Sequence, residues 1–265
     1  MNDNSIPEGT VTFEVRDGGI GLAKLSRPQA RNAMTLAMYS ELEAICSGIK
    51  ADGEVKALII TGEGNKAFAA GTDIAKFRDF TTPEHAIDYE RTMDRVLGAV
   101  ERCPVPTIAA IAGACTGGGA AIAACCDLRI ATADMRFGFP IARTLGNCLS
   151  VSNLARIAAL IGPARTKEII FTARLIAADE ALATGLVSEV LEDHEKLMAR
   201  AMELAALVAG HAPLTLRATK EGLRRLRAAA VVEDEDLILS CYMSEDFREG
   251  LEAFLAKRPA DFKGS

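Results

Sequence analysis

No apolar run in this sequence approaches the length needed to cross a bilayer. The richest stretch, Thr107–Cys126, is interrupted at Gly113 and Gly117–Gly119 and consists largely of small residues. Met1–Thr10 is polar and has no apolar h-region, so a signal peptide is not expected. Histidine is scarce: His85, His194 and His211 are far apart and have no metal-ligand spacing, so no metal is expected. The seven cysteines are odd in number and include no Cys-x-x-Cys pair. That is the usage of reduced thiols, not of a disulfide framework. Nor is there a long basic run. The net charge is −6, and the densest basic stretch, Arg217–Arg227, reads as the solvated face of a helix. These absences exclude nucleic acid and membrane as default partners and point to a cytoplasmic protein.

The chain has 265 residues, 49% hydrophobic and 25% charged. That suits one large domain, or one domain with a helical appendage, with a core that needs no staples. Only the ends, Met1–Ile6 and Phe262–Ser265, are expected to lack order. Val11–Arg16 and Ile20–Leu25 flank Asp17-Gly18-Gly19 as a hairpin. Leu36, Tyr39, Leu42, Ile45, Cys46 and Ile49 recur at helical spacing. Lys56–Thr61, Thr107–Ile111 and Asp127–Ala131 read as buried strands, with a helix over Pro83–Arg102 between the first two. Strands joined by crossover helices imply parallel pairing in an α/β core. Shorter helices are expected over Ser150–Leu160, Ala164–Phe171 and Ala177–Thr184, with stops at Gly162-Pro163 and Gly185. From about Asp193 onward only helix is expected: Glu195–Ala209, Pro213–Arg227, Glu233–Ser240 and Glu245–Lys257. The division is thus a catalytic core, residues 1–194, and a helical assembly region, residues 195–265.

Two loops carry the chemistry. Each follows an expected strand: Lys66–Ile74 (KAFAAGTDI) and Ala112–Gly119 (AGACTGGG). The triple glycine then opens a helix, Ala120–Cys126. A helix start leaves its first N–H groups unpaired and carries partial positive charge. Glycine lets a ligand approach the backbone closely. Such a place suits an anion or a carbonyl oxygen, although glycine clusters also occur where a helix packs tightly on a sheet. The spacing is neither the dinucleotide fingerprint nor a P-loop, which argues against a nucleotide-dependent oxidoreductase.

The pair AFAAGTDI and IAGACTGGGAAIAACCDLRIA resembles the two oxyanion-hole segments of the enoyl-CoA hydratase/isomerase (crotonase) superfamily. LSRPQARNAM, GLVSEVL and EGLEAFLAKRPADF are similar to other parts of that family, and together the matches run from about Thr10 to Phe262. The resemblance implies a spiral of ββα units with a helical C-terminal region that forms trimers, commonly paired into hexamers. It implies an acyl-CoA substrate and no cofactor beyond the coenzyme A moiety. It places the oxyanion hole at the backbone N–H groups of Thr72 and Gly118. The CoA site would be lined by Ala30, Arg31, Ala70, Asp73, Ile74 and Ala75, with Phe254 and Lys257 at the adenine end. Lys257 reads equally as an exposed lysine favoured at a helix C-terminus.

One departure matters. The family's hydratases use two glutamates, one two positions after the triple glycine and one directly after a proline. This chain holds Ala121 and Ile141 there. Neither moves a proton, so syn-hydration by that glutamate pair is not expected. Three replacements are open. Cys148 occupies a position that is a catalytic aspartate in branches resembling halobenzoyl-CoA dehalogenases, or it is a buried small apolar residue. Glu90 and Asp94, four apart on one helix face, either supply a carboxylate or belong to a solvated charged face. Asp73 is a weaker candidate that suits holding its own loop. The expected function is an enolate- or oxyanion-forming enzyme on a CoA thioester, with a non-catalytic acyl-CoA-binding protein on the same fold as the alternative.

Overall fold

Ala57–Gly62 has no polar face, and a strand of that kind needs cover on both sides. In the computed structural model, which describes residues 8–229 and 232–264, every residue of this strand is buried. The strands are β1 (Thr10–Arg16), β2 (Ile20–Ser26), β3 (Ala57–Gly62), β4 (Ala67–Ala69), β5 (Thr107–Ile111), β6 (Ala114–Thr116), β7 (Leu128–Thr132), β8 (Arg136–Gly138), β9 (Ile176–Ala177) and β10 (Glu189–Leu191). The helices are α1 (Leu36–Gly48), α2 (Pro83–Arg102), α3 (Gly118–Cys125), α4 (Ile141–Thr144), α5 (Val151–Phe171), α6 (Ala178–Ala183), α7 (His194–Ala209), α8 (Pro213–Ala228), α9 (Glu235–Tyr242) and α10 (Glu245–Leu255).

A six-stranded sheet runs β1-β2-β3-β5-β7-β10, and a four-stranded sheet runs β4-β6-β8-β9. β1 and β2 form the expected antiparallel hairpin, and the rest of the large sheet is parallel. Three successive units, β3-β4-α2, β5-β6-α3 and β7-β8-α4-α5, each add one strand to each sheet. That is the ββα spiral. Side chains alternate across the large sheet as strand geometry requires. Leu58, Ile60, Ala109 and Ile111 face the interior with α1, α2 and α3. Ala57, Ile59, Ile108 and Ala110 face α7, which covers them with Leu197, Ala201 and Ala205.

The small sheet was not expected. Its strands are two or three residues long, too short for an alternation to register, and two of them lie inside the segments read as loops. Gly162 breaks the helical path as expected (φ 79°), yet the helices on either side of it join at a kink within α5. The last helix ends at Leu255, not Lys257, and Lys257 itself has φ 54°. Residues 1–6, expected to lack order, lie outside the described residues, as does Ser265. Residues 262–264 are tied down: the N–H groups of Lys263 and Gly264 donate to the Asp246 carboxylate at 2.5 and 2.8 Å.

The C-terminal helices do two jobs. α7 closes the outer face of the large sheet. α9 and α10 bring Ile238, Tyr242, Phe247 and Leu251 against Ile74, Phe77, Ala86 and Ile87 in a separate aromatic-rich cluster. α8, by contrast, has no buried residue. No helix among the described residues is long and apolar enough to cross a membrane.

Candidate active site

The two glycine-containing segments converge because β4 and β6 pair in parallel, so the chain leaves both strands on the same side. After β4, Thr72 makes a parallel bridge with Met34. The bridge uses the neighbours of Thr72: Met34 N–H donates to Gly71 C=O at 2.9 Å, and Asp73 N–H donates to Met34 C=O at 2.8 Å. In parallel pairing this turns the N–H of Thr72 away from Met34. After β6, Gly117 takes φ 51° and ψ −120° and caps α3. The first α3 hydrogen bond runs from Ala121 N–H to Gly117 C=O at 2.9 Å, which leaves the N–H of Gly118 among the helix's free donors. Gly118 lies against Thr72: a Cβ built on it would sit 2.8 Å from Thr72 Oγ1.

Both residues line a cavity of about 240 Å³ whose walls come from α1, α2, the start of α3, residues 140–149, α9 and α10. Its wall holds a hydroxyl cluster. Tyr39 Oη and Thr72 Oγ1 share a hydrogen bond of 2.8 Å, and Tyr89 O–H donates to Thr72 Oγ1 at 3.4 Å. Burial pushes the Tyr39 phenol up to about 12, partly offset by its bond with Thr72, and burial also raises Tyr89 well above its ordinary value. Both therefore stay neutral and fix the Thr72 side chain.

Ala121 and Ile141, which the resemblance sets where hydratases would carry glutamates, both line this cavity. The carboxylate that reaches it is Glu90, from α2. Glu90 is 6% exposed, and Tyr242 O–H donates to its Oε1 at 2.6 Å. Asn147 Nδ2 donates in turn to Tyr242 Oη at 3.2 Å, while Asn147 Oδ1 is buried with no hydrogen-bond partner among the described residues. Burial lifts the Glu90 carboxyl to about 7. The Tyr242 bond lowers it, and the nearby Asp94 and Asp234 raise it further. Asp94 shares the helix face as expected but does not line the cavity. It takes a hydrogen bond from Ser150 Oγ at 3.2 Å and sits 3.7 Å from Arg156. Cys148 lines the cavity, with its Sγ 3.7 Å from Leu237 C=O. Its thiol is pushed up by a hydrogen bond with Cys241 and by burial, which opposes the thiolate a nucleophile needs.

The segments read as the CoA site lie side by side. Ala70 N–H donates to Arg31 C=O at 3.0 Å, next to Ala30. Arg31 and Asn32 both take left-handed φ, 50° and 56°. Asn32, 1% exposed, pins this turn: its Nδ2 donates to Glu63 C=O and Ala67 C=O at 3.0 and 2.8 Å, and its Oδ1 accepts from Arg27 N–H at 3.0 Å. Asp73 pairs with Arg27 at 2.8 Å and accepts from Ala75 N–H at 3.1 Å, so its side chain holds its own loop. Ala70, Ile74 and Phe254 line the cavity; Ala75 and Lys257 are exposed outside it.

Sequence reasoning missed Tyr39, Tyr89 and Tyr242 as site residues. Tyr39 was visible only as one apolar position of α1. Nothing local marks Tyr242, which meets Glu90 across 152 positions of chain.

Comparison with known proteins is consistent along the whole chain. The family model described as enoyl-CoA hydratase/isomerase matches residues 16–265. The short-chain-enoyl-CoA hydratase of Clostridium acetobutylicum is 34% identical over 247 residues, covering 92% of this chain and 94% of that protein. The human mitochondrial Delta(3,5)-Delta(2,4)-dienoyl-CoA isomerase is 33% identical over 232 residues, 83% of this chain and 70% of that one. A solved enoyl-CoA hydratase/carnithine racemase from Magnetospirillum magneticum has a TM-score of 0.77 and 37% identity, over 98% of this chain and 97% of that one.

Proposed function

The chain belongs to the enoyl-CoA hydratase/isomerase family of the crotonase superfamily, and on that premise we propose that it binds an acyl-CoA with the thioester oxygen between the N–H groups of Thr72 and Gly118. Negative charge developing on that oxygen is held there as an enolate, and the reaction proceeds without the family's glutamate pair. The carrying observation is the convergence of a bridge residue and a helix start, each with an N–H free of its own secondary structure, in the wall of one cavity. One such donor is worth about 2.7–4 kcal/mol of barrier. The turn at Ala30–Arg31 and the loop Ala70–Ala75 would carry the CoA chain toward the cavity.

The test is mass spectrometry of a thioester panel in heavy water: crotonyl-CoA, saturated acyl-CoAs, a 3-hydroxyacyl-CoA and a malonyl-type thioester. Deuterium uptake at the α-carbon or addition of water supports the reading. CoA binding with no change in any thioester refutes it and leaves the non-catalytic acyl-CoA-binding protein.

The assembly reading rests on α8. Leu223 and Leu226, three apart on one face, are 64% and 73% exposed on a helix that buries nothing of its own. A face of that kind suits a homotrimer or a dimer of trimers.

A further inference from the structure

We infer that Glu90 is the single carboxylate that adds and removes water in this cavity, with Tyr242 holding one of its oxygens and Asn147 Oδ1 receiving the water or the substrate hydroxyl. The substrate class is then a 2-enoyl-CoA and its 3-hydroxyacyl-CoA product. This rests on the thioester reading above, takes water addition as the reaction, and goes beyond that reading by naming the acid–base group and the residues that position it.

Three observations carry it. The first is placement: of the carboxylates on α2, Glu90 is the one that lines the cavity, on a different wall from the vacant positions Ala121 and Ile141. The second is orientation. Tyr242 fixes Oε1 at 2.6 Å, which leaves Oε2 for the reacting proton, and Asn147 steadies Tyr242 at 3.2 Å. The third is the unpartnered oxygen. A buried acceptor without a donor costs free energy unless a ligand supplies the donor. Asn147 Oδ1 is such an acceptor at a residue that lines the cavity, and a hydroxyl or a water is the donor it lacks.

The step balances with one carboxylate. A water held by Asn147 Oδ1 and Glu90 Oε2 gives its proton to Glu90 as its oxygen bonds to the β-carbon. The π-electron pair of the double bond moves to the α-carbon and the thioester oxygen, where the Thr72 and Gly118 N–H groups hold it. Glu90 then returns that proton to the α-carbon, and one water has been added. The reverse sequence dehydrates the 3-hydroxyacyl thioester. Hydration needs Glu90 as carboxylate, so its rate rises with pH through the Glu90 pKa, which burial has brought near neutrality. The titratable and charged groups around it are Asp94 and Tyr89 on α2, Tyr39 on α1, Cys148, Asp234 before α9, and Tyr242 on α9.

The experiment follows crotonyl-CoA hydration by the full-length protein and by Glu90→Gln, Glu90→Asp and Tyr242→Phe, with CoA affinity and melting temperature as folding controls. The wild type is expected to add water. Glu90→Gln loses on the order of 10²–10⁴-fold in kcat with CoA affinity kept, and Glu90→Asp restores part of it. In Tyr242→Phe a contribution that lowers the Glu90 pKa is gone, so the rising limb moves to higher pH, a shift that a merely structural tyrosine would not produce. Wild-type hydration that survives in Glu90→Gln overturns the assignment and leaves the thioester reading intact. Deuterium exchange at the α-carbon without water addition overturns the hydration step alone. No change in any thioester of the panel overturns the underlying reading itself.

Discussion

Gly118→Ala tests the oxyanion hole with one methyl group. A Cβ at this position overlaps the Tyr39 hydroxyl outright, and it stands 2.8 Å from Thr72 Oγ1 and 3.2 Å from Tyr39 Cζ. Tyr39 is 1% exposed and bonded to Thr72, so the strain goes into the Tyr39–Thr72 hydrogen bond and the loop that carries the Thr72 N–H. Clearing the overlap needs a movement of more than about 1 Å, and a misplacement of that size costs roughly 10²-fold in rate. If one N–H loses the thioester oxygen entirely, the cost is about 2.7–4 kcal/mol. Tyr39→Phe removes the overlapping atom. The nearest ring carbon and the Thr72 hydroxyl, released from Tyr39, then need to give only a few tenths of an ångström, and that hydroxyl keeps Tyr89 as a partner at 3.4 Å. The double variant should therefore recover activity relative to Gly118→Ala, with a coupling of about 1–3 kcal/mol. The assay is kcat for the thioester reaction found in the panel, measured for the four proteins of the cycle, with CoA affinity as the control. A Gly118→Ala protein with wild-type kcat refutes the placement of the oxyanion hole. A double variant no better than Gly118→Ala refutes Tyr39 as the source of the conflict.

The remaining predictions concern pH, the CoA turn and assembly. Glu90 has a folded pKa of about 7 against an ordinary 4.5. The folded state therefore holds the proton more tightly between those values, and stability is full below pH 4.5 and falls as pH rises through 7, by about 3 kcal/mol. Glu90→Gln should melt higher than the wild type at pH 8 and nearly level with it at pH 4; equal melting curves at pH 8 would remove the buried-carboxylate argument. Asn32→Ala should cost about 3 kcal/mol in denaturant unfolding, because three hydrogen bonds of the buried turn are lost and alanine disfavours its left-handed φ; a loss below about 1 kcal/mol would show that the turn stands without it. Leu223→Glu/Leu226→Glu should bring the light-scattering mass down toward the 28.1 kDa of one chain, and an unchanged mass would take α8 out of the interface.

Local pattern determined much of this protein. Continuous apolar runs marked β3 and β5 because a strand covered on both faces has no polar position to interrupt it. The period of α1, the extent of α2, the hairpin glycines and the all-helical stretch after Asp193 were equally legible, since backbone hydrogen bonding repeats over short distances. The triple glycine marked the start of α3, and Ala121 and Ile141 showed which proton-carrying side chains were missing. The short strands β4, β6, β8 and β9 were not legible: three residues hold no period, and they exist because the neighbouring unit of the spiral supplies their partners. The acid–base wall was open for the same reason. On α2, Glu90 and Asp94 have the same spacing and flanking charges, and the sequence treats them alike. Only packing separates them, by seating Tyr242 of α9 on Glu90, 152 positions away, and leaving Asp94 to Ser150 and Arg156. Burial and partner choice are properties of distant contacts, and they decide which of two similar carboxylates sits near neutrality in the cavity.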